Sequence, residues 1–117
     1  MLTAGKQTES SAGNGSGVNF QSGSTAFGLQ AHVQCFAFTG TSITIKLQES
    51  SDDASGDAYA DVTGGGFAAI SAAQTVERIA TTTGLTVERW LRLVWSGTFS
   101  NAVFAVVVNR NDTAPSF

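Results

Sequence analysis

The sequence predicts an all-β fold, an antiparallel β-sandwich or barrel-like jelly roll carrying an extended N-terminal arm. Three observations lead there. Apolar residues alternate with polar ones along short runs, the period that places side chains on opposite faces of a strand. The runs are closed by Gly, Ser, Thr, Asn or Asp at spacings near ten residues, as in sandwiches and barrels. The chain is 42% hydrophobic but only 13% charged, about half the usual charged share. A length of 117 residues suits one domain with a sizeable core.

Residues 1–26 are rich in Gly, Ser, Thr, Asn and Gln, with Leu2, Val18 and Phe20 as the main apolar exceptions. So polar a segment buries too little apolar area to offset its ordering entropy alone. It is expected to be either a loose tail or an arm that orders against a partner or a neighbouring copy, with Val18 and Phe20 as anchors.

The sandwich domain is expected over 27–110. Phe27 to Thr39 reads as its first long strand: Leu29, Ala31, Val33, Cys35 and Ala37 face one way, and Gln30, His32, Gln34, Phe36 and Phe38 the other. Thr39-Gly40-Thr41 reads as a turn into 42–48, where Ile43, Ile45 and Leu47 mark a half-buried strand. Glu49 to Gly56 is an acidic loop. A short strand through Tyr59 to Val62 is broken by Gly64-Gly65-Gly66, and Phe67 to Ala73 suits a bulged strand or one helical turn. Gln74 to Ala80 reads as another strand. Glu88 to Trp95 is substantial on both faces and so predicts a central strand. Ser96-Gly97-Thr98 then reads as a hairpin-like link into Ala102 to Asn109, whose continuous Val, Ala and Phe predict burial on both sides. Residues 111–117 form a polar tail.

Six basic and nine acidic residues give a net charge of −3. The basic residues never cluster, and without a basic stripe direct nucleic-acid binding is not expected. The start has no apolar h-region of a signal peptide, and no apolar run reaches membrane-spanning length. Synthesis in a cytoplasm is expected, which leaves the glycosylation-like triplets at Asn14 and Asn111 as chance matches.

No catalytic, cofactor-binding or metal-binding residues are assigned, and no enzyme is expected. Asp52, Asp53, Asp57, Asp61 and Glu49 lack the spacing of a calcium loop and read as a solvated turn. His32 sits mid-strand with no second ligand or nucleophile signature. Cys35 lies on the apolar face and reads as a small core residue. Three residues apart in a strand, the two point to opposite faces and make no dyad. The triple glycine lacks the Lys-Ser/Thr or the helix of a phosphate-binding loop. Trp90, Trp95, Tyr59 and Phe99 would suit a sugar-stacking platform, although such aromatics serve more often as core or interface anchors. Arg89 and Arg92, flanking Trp90, suit an interface or plain solubility alike.

The phrases Thr-Gly-Thr-Ser-Ile-Thr-Ile-Lys-Leu-Gln-Glu-Ser from Thr39, Asp-Ala-Tyr-Ala-Asp-Val-Thr-Gly-Gly from Asp57, Gly-Phe-Ala-Ala-Ile from Gly66 and Val-Glu-Arg-Trp-Leu-Arg-Leu from Val87 follow one another. Ser-Gly-Thr-Phe-Ser-Asn-Ala-Val-Phe-Ala-Val-Val-Val-Asn-Arg then runs from Ser96 to Arg110. This series resembles small β-sandwich virion proteins of tailed bacteriophages, of the capsid decoration or cement type. The resemblance spans 39–110 and rests on strand and turn phrases. It implies a structural virion protein, made in the host bacterial cytoplasm, that decorates and stabilises the outer surface of the capsid. Its partners would be the major capsid protein and neighbouring copies of itself, as in a trimer, with no nucleic acid, membrane or cofactor. Contacts are expected at Val18, Phe20, Phe36, Phe38 and Trp90. The alternatives are a tail-tube or tail-decorating module and a glycan-binding adhesion module.

Overall fold

Two long strands organise the chain. In the computed structural model, which describes residues 2–20 and 23–111, with the backbone alone at 2–7 and 55, β4 (Leu29–Ser50) pairs antiparallel with β7 (Trp90–Arg110). The pairing runs from Leu29↔Arg110 to Ser50↔Trp90. The other strands are short. β1 (Leu2–Glu9), β2 (Gly13–Asn14) and β3 (Val18–Asn19) line the free side of β7, while β5 (Ala60–Gly66) and β6 (Thr75–Ala80) line the free side of β4. The architecture is all-β and antiparallel. Among the described residues the sheet ends openly at β1 and β5 instead of closing into a barrel, and the helical content is one turn at Ser55–Asp57.

The ribbon of β4 and β7 bends at mid-length. Its register shifts between Cys35 and Ala37, again between Thr39 and Gly40, and between Gly40 and Ser42. Gly40 (φ 148°) pairs with Phe99, and Gly97 (φ 131°) pairs with Ile43. Positive φ favours glycine, and a Cβ at Gly97 would meet the Ser42 carbonyl oxygen, as one at Gly40 would meet the Phe99 backbone. Thr39-Gly40-Thr41 and Ser96-Gly97-Thr98, which read as turns, are therefore bulged bends through which both strands continue.

The bend makes two layers from one sheet. The first contains β1, the C-terminal half of β7, the N-terminal half of β4, and β6. The second contains β2 and β3, the N-terminal half of β7, the C-terminal half of β4, and β5. The molecule measures 38 × 36 × 20 Å, and its short dimension suits two sheets packed about 10 Å apart.

Alternation supplies the core. Leu29, Ala31, Val33, Cys35, Ala102, Phe104, Val106 and Val108 are buried from the first layer, and Ile43, Ile45, Leu47, Leu91, Leu93 and Trp95 from the second. Trp95 meets Phe104 edge-on, with ring centroids 5.7 Å apart. Each buried Val, Leu, Ile or Phe side chain among them contributes roughly 1.5–3 kcal/mol. Phe67 and Ile70 close one side of this core, held to Ile45 and Ile43 by backbone hydrogen bonds of 2.8–2.9 Å.

Two expectations need correction. Within the expected arm, 1–26, the described strands do not stand off: residues 2–9 pair with 102–108, and 13–19 continue along 90–95. The β7 backbone supplies the ordering that the segment's own side chains cannot. The continuous apolar run 102–109 is buried on one face only, since Val103 and Ala105 are half-buried and Val107 and Asn109 are exposed. The expected tail lies outside the described residues beyond Asn111, which is held by Gly28 and Phe27. Glycosylation at Asn111 needs residues that also lie outside them.

Candidate functional site

Burying one face of each layer leaves two outer faces, and they differ in chemistry. On the first layer the register sets Val107 beside His32, which is beside Arg78; the next row is Ala105, Gln34 and Val76. Phe36 follows at the bulge, opposite the stretch Val103–Phe104. The exposed large hydrophobic residues of the described chain all lie here: Val76 at 67%, Phe36 at 37% and Val107 at 37%. With half-buried Val103 and Ala105 they form a mixed surface across three strands, interleaved with Gln34 and His32 of β4. His32 is exposed within it, and Arg78 Nη2 donates to Gln30 Oε1 at 2.8 Å.

The outer face of the second layer is polar. Arg92 donates through Nε (3.0 Å) and Nη2 (2.8 Å) to Gln48 Oε1. Gln48 Nε2 donates to Asp61 Oδ1 at 2.9 Å, and Lys46 Nζ donates to Asp61 Oδ2 at 3.0 Å. These hydrogen bonds, Gln48 first, hold the Asp61 carboxyl below its usual range. Tyr59 lies across Arg92, with the guanidinium carbon 4.2 Å from its ring centroid, and donates its hydroxyl to Asp53 Oδ1 at 2.6 Å. Burial, then the Asp53 bond, raises the phenol's pKa.

The acidic loop is tied to one buried hydroxyl. Ser50 Oγ accepts from the backbone N–H of Asp52 (3.2 Å) and Asp53 (3.1 Å) and donates to the Asp57 carbonyl at 2.6 Å. Asp57 Oδ2 accepts from Ser51 N at 2.8 Å, which lowers its pKa. Burial and then the Glu88 carboxylate push Glu49 up to about 7, and burial followed by Asp57 raises Glu88. Among the described residues no group of three or more acidic, His or Cys side chains is arranged to hold a metal.

The five expected contact residues do not share a surface. Val18, Phe20 and Phe38 are half-buried and pack against the core; the Arg110 guanidinium sits 5.4 Å from the Phe20 ring, and Phe38 meets Phe99 at 6.4 Å. Phe36 lies on the outer face of the first layer. Trp90, half-buried and alternating with buried Leu91, belongs to the outer face of the second. Trp95, considered for a stacking platform, is core, and its Nε1 donates to the Ser11 carbonyl at 3.1 Å. Cys35 is buried beneath the face that carries His32, and burial raises its pKa. Sequence reasoning missed Val76 and Val107. Within Val106-Val107-Val108 no local signal singles out Val107, whose outward parity comes from the register with His32; Val76 is outward on β6 opposite Gln34.

No protein-family model matches this chain, and no curated protein matches it. Among solved structures, one titled "Family 16 Carbohydrate Binding Module-2" aligns over 88% of this chain and 74% of its own, at 17% identity and a TM-score of 0.43.

Proposed function

We propose that this protein is a non-catalytic structural component of a bacteriophage virion that decorates the outside of the capsid and docks on the major capsid protein through the outer face of its first layer. One observation carries the reading: Val76, Phe36 and Val107 stay exposed on a single sheet face. The core is complete without them, so folding does not explain them, and apolar side chains gathered on one exposed face favour an interaction surface. The resemblance of 39–110 to decoration proteins supplies the partner.

This face holds few charges, Arg78 among them, which suits a protein surface better than a phosphate backbone. A contact of roughly 800 Å² per partner is standard for a stable complex. Weaker contacts suffice where neighbouring copies on a repeating lattice reinforce one another. The test is to add purified protein to phage heads stripped of it, and separately to tails, and to locate the added density. Density on the head surface supports the proposal, and density confined to tails overturns it.

A further inference from the structure

The geometry points to a second binding site, for a neutral glycan, on the outer face of the second layer, with Lys46, Asp61, Gln48 and Arg92 as its polar floor and Tyr59 as its wall. The inference stands apart from the docking face proposed above, which lies on the other layer.

The floor is a continuous chain of four side chains from three strands, Arg92 on β7, Gln48 and Lys46 on β4, and Asp61 on β5. Each fixes the next, so little rotamer freedom remains to be lost on binding. Strand pairing does not require the chain. The backbone ladder and the buried Ile45, Leu47 and Leu93 already hold this layer. An ion pair as exposed as Lys46–Asp61, at 38% and 58%, adds at most about 1 kcal/mol.

The outward capacity of these groups matches hydroxyls. Lys46 Nζ keeps two N–H donors beyond its bond to Asp61, and each Asp61 oxygen keeps a lone pair beyond its one bond. Two neighbouring hydroxyls of a sugar can then donate to Asp61 and accept from Lys46. Two cations, Lys46 and Arg92, face two carboxylates, Asp61 and Asp53, so the site favours no net charge. A phosphate or sulfate ligand would meet the repulsion of both carboxylates.

Tyr59 supplies the apolar surface on which the C–H face of a sugar ring rests. Its placement is built in. Arg92 supports the ring, Asp53 holds the hydroxyl, and Gly17 passes beside the pair where a Cβ would overlap both the hydroxyl and the carboxylate.

The test is affinity electrophoresis of the full chain in gels containing a soluble β-glucan, a mannan or a galactan. At least one polysaccharide is expected to retard the protein. Asp61→Asn and Tyr59→Ala should each weaken that binding about tenfold, the effect of losing one charged hydrogen bond or one stacking surface. Tyr59→Phe retains the ring and should stay within about threefold of the parent, and exposed Asp61→Asn keeps the test valid if Tyr59→Ala does not fold. Val107→Lys should leave retardation unchanged while abolishing attachment to heads, so failure of one site is distinguishable from failure of the other. No retardation by any of the three, or retardation of the folded Asp61→Asn protein equal to that of the parent, overturns the inference.

Discussion

The two layers are cut from the same pair of strands, yet their outer faces differ: the exposed large hydrophobic residues of the described chain lie on the first, and a hydrogen-bonded chain of polar side chains on the second. β7 contributes Val103, Ala105 and Val107 to the outside of the first layer and Trp90, Arg92 and Val94 to the outside of the second. β4 places Phe36 near the first group and Lys46 and Gln48 near the second. Inside, the layers are equivalent, with aliphatic rows meeting through Trp95 and Phe104. Folding requires only the inner alternation. The contrast outside is therefore the part of the sequence that stability leaves unexplained, and the two proposed sites lie on opposite sides of it.

The comparison fails altogether if the bend is removed. Gly97→Val forces a β-branched residue into positive φ and drives its Cβ toward the Ser42 carbonyl. A loss of about 3 kcal/mol or more is expected, read as a lower urea midpoint or as insoluble expression. Phe104→Ala removes the first layer's half of the contact between layers. Phe104 is 1% exposed, and truncating a buried Phe costs about 3–5 kcal/mol. Calorimetry should show a lower Tm for this variant with both outer faces otherwise unaltered in sequence.

Titration sharpens the comparison at the acidic end of the second layer. The folded Glu49 binds its proton more tightly than in the unfolded chain, with a pKa near 7 against an ordinary 4.5. Its stabilising contribution is therefore complete below about pH 4.5 and is lost as pH rises through about 7. Glu88, also raised, acts in the same direction, whereas Asp57 and Asp61, both lowered, stabilise above the usual carboxylate range and lose that effect on acidification. Glu49→Gln should raise Tm above pH 7 and leave it close to the parent value in mild acid. The smallest effect is expected at the exposed ion pair: Lys46→Met should change unfolding free energy by less than about 1 kcal/mol.

Much of the fold is legible in local alternation. The rows Leu29–Cys35, Ile43–Leu47 and Leu91–Trp95 read directly as inward faces. The bends were not legible as bends. A glycine flanked by Thr or Ser signals a turn equally well, and only the pairing of 39–43 with 97–101 shows that two such signals face each other across one ladder. The N-terminal strands were hidden for a related reason, since their order comes from the β7 backbone instead of an apolar pattern of their own. At the faces, Phe36 was visible because it breaks a polar row. Val107 was not, because within Val106-Val107-Val108 nothing local tells an outward valine from two buried ones. The polar chain from Arg92 to Lys46 joins residues far apart in sequence, so only the register of β7, β4 and β5 assembles it.

The exposed valines of the first layer are proposed to dock on the head surface. The direct measurement is the number of copies bound per phage head by the Val76→Lys/Val107→Lys protein and by the parent. Two exposed substitutions should each shift stability by no more than about 0.5 kcal/mol. The account predicts a doubly substituted protein that unfolds close to the parent and leaves the heads essentially bare. Full occupancy of the heads by that folded variant would contradict it.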